Sequence, residues 1–197
     1  RLQCAAPADA HAAPPFEVID AEALAQLPEP DAGDLFFDFE GDPLYTEHGS
    51  NSEHGGDRWG LDYLFGWVDA EARFECLWAH SFDEERVALR RFLDFVAARR
   101  ARFPHLHVYH YASYEKAHLI SLAARHGEGE EEVADLLRAG VLVDLYPIVR
   151  RAVRVGSRSY SIKKLEPLYM GEAYRDEEGV TSALASVDAY VAASAAR

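Results

Sequence analysis

DLFFDFEGDP, residues 34–43, sets two acids into a run that otherwise reads as the start of a buried strand. Leu35, Phe36 and Phe37 supply the apolar run. Asp38 and Glu40 follow, separated only by Phe39. Side chains two apart on a strand share a face, so both carboxylates emerge side by side while Phe39 packs behind them. Two such charges, close together and partly desolvated, repel strongly unless a cation sits between them. A hard divalent ion with oxygen ligands, Mg²⁺ or Mn²⁺, is the economical partner. The bland alternative is a strand whose end simply carries solvated acids. Gly41, Asp42 and Pro43 then read as the strand's terminator.

The totals bound what surrounds this stretch. A chain of 197 residues that is 49% hydrophobic is globular, with room for one domain and some extension. No run approaches a membrane span, and the N-terminus lacks a charged-then-apolar signal. Cys4 and Cys76 are too few for a disulfide framework or a cysteine zinc site, so a reducing cytoplasm is expected. The first residue is Arg1, not Met, which suggests a piece of a longer protein. A net charge of −14 argues against coating nucleic acid by bulk electrostatics. Between Asp144 and Glu166, however, lie Arg150, Arg151, Arg154, Arg158, Lys163 and Lys164 with no acid among them. That is a basic stripe on an acidic body, and ordinary solvated faces account for it equally well.

Residues 1–33 read as a linker or the tail of a preceding domain. Cys4–Pro15 is rich in Ala and Pro, and Glu17–Ala25 forms a short helix or extended lead-in halted by Pro28 and Pro30. The main domain is expected over 34–197. In its polar loop, His48 and His54 lack a third ligand spaced for zinc. Leu61, Tyr63, Phe65 and Trp67 alternate along a second strand, 59–68, and residues 69–72 turn it into a third, 73–79, giving an antiparallel meander. Ser81 and Glu84 make a capping box for a helix to about Arg102, with Val87, Leu89, Phe92, Leu93 and Val96 as its apolar face and Pro104 as its stop.

A strand over 106–111 follows, then a helix capped by Ser113 and closed by Gly127, a helix over 130–139 and a strand over 141–146. Helical segments over 161–169 and 182–196 end the chain. Strands separated by helices imply parallel crossovers. The expected fold is α/β: a five-stranded mixed sheet, three strands in the meander plus parallel strands, with helices on both faces.

In YHYASYEKAHL, Glu115 falls in the first turn of a helix, where the helix dipole favours a carboxylate. The strand-to-helix junction is also where α/β proteins assemble sites. If this strand neighbours the first, Glu115 joins Asp38 and Glu40 in a three-acid cluster.

From Asp34 to about Tyr190 the chain resembles the ribonuclease-H-like fold in its DEDD exonuclease form, and most closely the YprB-like RNase-H domain of predicted RecB-type nucleases. The resemblance rests on FFDFEGDP, LDYLFGW, YHYASYEKAHL and VDLYPIVRRAV with SYSIKKLE, in that order. It implies metal-dependent phosphodiester hydrolysis, 3′→5′ in direction, with Asp38, Glu40 and Glu115 holding two Mg²⁺ or Mn²⁺ ions. The implied partners are DNA or RNA, as single-stranded ends, and fused RecB-type or helicase segments outside this chain. Such families carry a last aspartate on a late helix. Asp188 lies in a context resembling the segment before that motif, so the chain is expected to stop ahead of its last ligand and to be weakly active or inactive. The alternative is a non-catalytic nucleic-acid-binding or scaffolding module with a relic site.

Five further candidates complete the set. Asp144, at a strand end, is either an accessory metal residue or a helix cap. His110 lies near Glu115 as a phosphate contact or acid–base group, although His105 and His107 alternate with it and dilute the signal. Tyr114 can stack on a base, or belong to the core. Lys163 and Lys164, beside Ser159 and Ser161 at a helix start, suit backbone phosphates.

Overall fold

The computed structural model of the chain describes residues 13–47, 59–170 and 182–195. In chain order the elements are β1 (Phe16–Val18), α1 (Ala21–Leu24), β2 (Leu35–Thr46), β3 (Trp59–Asp69), β4 (Phe74–Trp78), α2 (Phe82–Arg102) and β5 (Val108–His110). They continue with α3 (Tyr114–His126), α4 (Glu130–Arg138), β6 (Leu142–Asp144), α5 (Leu145–Ala152), β7 (Val153–Val155), α6 (Ile162–Leu165) and α7 (Ala183–Ala195). A 3₁₀ turn, Glu166–Leu168, follows α6, and Pro167 sits inside it. His48 and His54 lie outside the described residues. Among the described residues no helix is long and apolar enough to cross a membrane.

These elements divide into two compact units, the described parts of Pro30–Val143 with Ser182–Arg197 and of Arg1–Glu29 with Asp144–Thr181. The larger unit holds the expected five-stranded mixed sheet, in the order β4-β3-β2-β5-β6. β2 pairs antiparallel with β3, β3 antiparallel with β4, and β2 parallel with β5. The Asp69–Arg73 turn closes the β3–β4 hairpin, with Asp69 accepting from Glu71 N–H, Arg73 N–H and the Arg73 guanidinium.

Alternation along β2 sends Leu35, Phe37 and Phe39 into the core with Phe65, Trp67, Leu89, Phe92, Leu93 and Val96. Phe92 stacks on Phe37 at 4.2 Å and reaches Trp67 at 5.6 Å, so α2 is fastened across the β2–β3 pair by aromatic contacts. Phe92→Ala is expected to cost about 3–5 kcal/mol, because the cavity falls between layers that cannot collapse onto it. Chemical denaturation reads this as a lower midpoint.

Four local expectations need correction. Gly41-Asp42-Pro43 does not end the strand; β2 runs on to Thr46, with register shifts at Glu40/Gly41 and Asp42/Thr46 that absorb the glycine and the proline. Phe36 is exposed rather than buried, because it shares the outward face with Asp38, and it stacks on Tyr109 of the neighbouring strand at 5.4 Å. Val87 is likewise exposed, and Ala88 takes the buried place next to it on α2. Ser113 makes no capping hydrogen bond from its side chain. The chain instead enters α3 through Ala112, which holds a left-handed φ of 73°. The Ser81 cap of α2 and the Gly127 closure of α3 form as the sequence predicts.

In the smaller unit the lead-in folds back on later chain. β1 pairs antiparallel with β7, and Asp20 caps α1 while its other oxygen accepts from Arg151 at 2.9 Å. Glu17 stands 3.6 Å from Arg154. Two cations of the basic stripe are therefore already matched by acids of the lead-in, so the stripe is less bare than the sequence suggests. α6 is a single helical turn, too short for a dipole that would hold an anion beside Lys163 and Lys164.

Candidate functional site

β2 and the start of α3 position the acids. Asp38 stands opposite Gly66 on the outward face of β2, with Glu40 two residues on. β5 lies beside β2 in parallel, and the chain leaving β5 turns at Ala112 and brings Glu115 in on the first turn of α3. Glu115 is buried, and its Oε2 has no hydrogen-bond partner.

His110 is buried behind it. Its Nδ1 lies 2.7 Å from the Ala112 carbonyl oxygen and 3.3 Å from Glu115 Oε2. The left-handed backbone at Ala112 thus sets the histidine against the carboxylate, as a prop for the acid.

Asp38 records the crowding. Its carboxyl is pushed up from 3.8 to about 7, first by desolvation, then by the hydrogen bond to Glu115 and by the charges of Glu115 and Glu40. The residue as a whole is exposed, so the desolvation belongs to the carboxyl end that meets Glu115. Two carboxyl groups hydrogen-bond to each other only while one keeps its proton. A hard cation would replace that proton and give Glu115 Oε2 the partner it lacks, so the donor set suits an oxygen-ligated divalent metal. Among the described residues, no group of three or more His, Cys, Asp or Glu side chains is arranged to hold a metal ion. The structure thus gives a tight pair, Asp38 with Glu115, and a third acid, Glu40, close enough to act on it electrostatically.

Tyr114 lies beside these acids. Burial, then the charges of Asp62, Glu40, Asp38 and Glu115, push its hydroxyl well above the usual phenol range. One face of its ring is covered by His118 at 3.8 Å, and the residue is 43% exposed.

Asp144, Lys163 and Lys164 belong to the smaller unit. Asp144 caps α5, accepting from Tyr146 N–H at 2.9 Å, which realises the helix-cap reading, with the helix opening at Leu145. Lys163 is half-buried and Lys164 exposed. Asp188 is exposed on α7, whose Tyr190 stacks on Tyr63 at 3.9 Å.

The sequence reading passed over two further groups. Asp62, buried on β3, takes His118 Nδ1 at 2.9 and 2.8 Å. Glu85, fully buried on α2, accepts from Asp62 N–H at 2.7 Å, from Arg125 at 2.9 Å and meets His126 Nε2 at 2.7 Å. A signal for the first was present: His118 follows Glu115 by three and Tyr114 by four, so all three share a helix face.

Residues 35–192 match the family model RNase_H_2, described as RNase H superfamily. No curated protein and no solved structure matches the chain significantly.

Proposed function

Because the chain belongs to the RNase H superfamily, we propose that it is a metal-dependent nuclease domain, residues 34–197, that hydrolyses phosphodiester bonds at single-stranded ends in the 3′→5′ direction. Domains of this superfamily are usually nucleases and generally use divalent metals. The reading adds that the domain works in the cytoplasm within a larger nucleic-acid-processing protein carrying RecB-type or helicase segments.

One observation carries the chemistry. Glu115 keeps an unpartnered buried oxygen beside a carboxyl, Asp38, whose proton is held up to about pH 7. The retained proton eases this pair, and a hard cation in its place would neutralise both carboxylates and reach the oxygen the proton leaves bare. In this reading Asp38, Glu40 and Glu115 hold Mg²⁺ or Mn²⁺, two ions in the full site. The bound metal would polarise the phosphate and lower the pKa of a water. Asp38 and Glu40 present their oxygens from one strand face, and Glu115 does so from a helix start that favours its negative charge. His110, its Nδ1 turned to the Ala112 carbonyl, packs 3.3 Å from Glu115 Oε2 and limits where that carboxylate can move. Tyr114 offers its uncovered ring face to a base, Lys163 and Lys164 meet the phosphate backbone, and Asp144 serves as an accessory acid in addition to its cap.

The test is cleavage of single-stranded DNA and RNA oligonucleotides with Mn²⁺. Weak cutting is expected with the unmutated chain and is expected to be lost with Asp38→Asn combined with Glu40→Gln. A double variant that cuts as well as the parent sinks the assignment.

A second reading, a non-catalytic nucleic-acid-binding or scaffolding module with a relic site, draws on the absence of a three-donor metal group among the described residues. Calorimetry separates the two, since a relic takes up no Mn²⁺.

A further inference from the structure

We propose that Asp62 and His118 form a proton-accepting dyad serving the hydrolysis, with His118 Nε2 the atom that takes the proton of the attacking water. The inference rests on the nuclease reading above and adds to it a pair of residues lying outside the acid cluster.

The geometry fixes the tautomer. Both Asp62 oxygens lie within 2.9 Å of His118 Nδ1, and an ionised carboxylate can only accept, so Nδ1 carries the hydrogen. A neutral ring then has its lone pair on Nε2, on the opposite edge. Asp62 is buried at 4% exposure while the His118 side chain is 33% exposed, so the anchor is enclosed while the imidazole reaches solvent. Tyr114 lies flat against the ring at 3.8 Å and holds its plane. Asp62 is steadied in turn by its backbone N–H, which donates to the buried Glu85.

The dyad opens on the right place. His118 lines a cleft of about 220 Å³ whose walls include Gly41, Asp42, Asp62, Tyr114 and Arg125. Gly41 follows Glu40 directly and Tyr114 precedes Glu115, so the cleft is lined from the same stretch of β2 and the same first turn of α3 that carry the acids. The Tyr114 hydroxyl feels the charge of Asp62 together with those of Glu40, Asp38 and Glu115. Gly41 is what leaves room: a Cβ there would stand 2.6 Å from Asp62 Oδ1 and 3.2 Å from Tyr114 Oη. The cleft is rich in acceptors and acids, which suits a water or a hydroxyl better than a bare phosphate.

The step balances without a further reactant. Water oxygen bonds to phosphorus as the phosphorus–oxygen ester bond breaks. The water proton passes to His118 Nε2, and the imidazolium, stabilised by Asp62, returns it to the departing oxygen or to solvent. The charged and titratable groups lining the cleft with the imidazole are Asp62 from β3, Asp42 from β2, and Tyr114 and Arg125 from its own helix.

His118→Asn tests the proposal on the full chain with Mn²⁺ and a single-stranded oligonucleotide. Asparagine keeps an N–H for Asp62 and removes the proton acceptor, which separates catalysis from support. The expected result is a kcat lower by about 10²- to 10⁴-fold, with KM and thermal midpoint unchanged. In the metal-free protein, ¹⁵N NMR is expected to report the Nδ1–H tautomer for His118 and its loss in Asp62→Asn. An unchanged kcat in His118→Asn, or an Nε2–H tautomer in the parent, overturns the dyad while leaving the acid site standing. A parent chain that cuts equally well without Asp38 and Glu40 removes the nuclease reading and the dyad together.

Discussion

Glu115→Gln is expected to make the metal-free protein more stable and to abolish its cutting. The amide removes a charge from the buried position behind Asp38 and supplies an N–H that can donate to it. The Asp38 carboxyl should then come down from about 7 by the part Glu115 contributes, while the rise from desolvation, the largest cause, stays. The pH dependence gives the sign. A carboxyl whose folded pKa is raised holds more protons folded than unfolded between those two values, so stability falls as pH rises from about 4 to about 7. Thermal scans of the metal-free parent should trace that fall, and Glu115→Gln should flatten it. Mn²⁺ must displace the same proton, so in the parent its affinity should rise with pH across the window and release a proton on binding. In the variant both the affinity and its pH slope should shrink, with cleavage lower on the order of 10³-fold. A variant that cuts normally removes Glu115 from the chemistry. One with an unaltered pH–stability slope removes the Asp38–Glu115 coupling.

The sheet was legible because its signals are local. Alternation at Leu61, Tyr63, Phe65 and Trp67, the Asp69 turn and the Ser81–Glu84 cap each lie within a few residues, and each formed. The same locality explains what was missed. β7 is three residues long and pairs with a segment well over a hundred residues earlier, so nothing local marked Val153–Val155 as a strand. Phe36 looked buried because its neighbours are; the strand's period of two, applied strictly, puts it with Asp38. Gly-Asp-Pro looked terminal because a register shift depends on what the partner strand does opposite it. At the candidate site, Asp38, Glu40 and Glu115 stood out because an acid in an apolar run or at a helix start is conspicuous. Asp62 was not, since an acid on the polar face of an alternating strand is ordinary, and its histidine lies 56 residues away. The Ala112 backbone, which turns His110 onto Glu115, has no sequence mark at all.

Glu85→Ala is expected to damage the fold about as severely as Phe92→Ala, by a different route. The carboxylate is fully buried at the head of α2 and compensates three groups at once: the Arg125 guanidinium, His126 and the Asp62 N–H. Removing one partner of a buried pair leaves the others as uncompensated polar groups in the interior, which typically costs about 3–5 kcal/mol. Arg125 also donates to the Gly60 carbonyl at 2.7 Å and lies over the Phe82 ring at 5.5 Å, so its release loosens β3 against α2 as well. For a chain of this size the loss corresponds to a thermal midpoint lower by about 10 °C. Glu85→Gln keeps the volume and one acceptor but loses the charge, and should fall between parent and alanine variant. Circular dichroism melts of the three proteins check that order. Because Glu85 also steadies the backbone of Asp62, the glutamine variant should hold His118 less firmly even where it stays folded, and lose cleavage beyond what its stability predicts. If Glu85→Gln instead cuts like the parent, Asp62 is positioned without help from α2, and the buried cluster belongs to the fold alone.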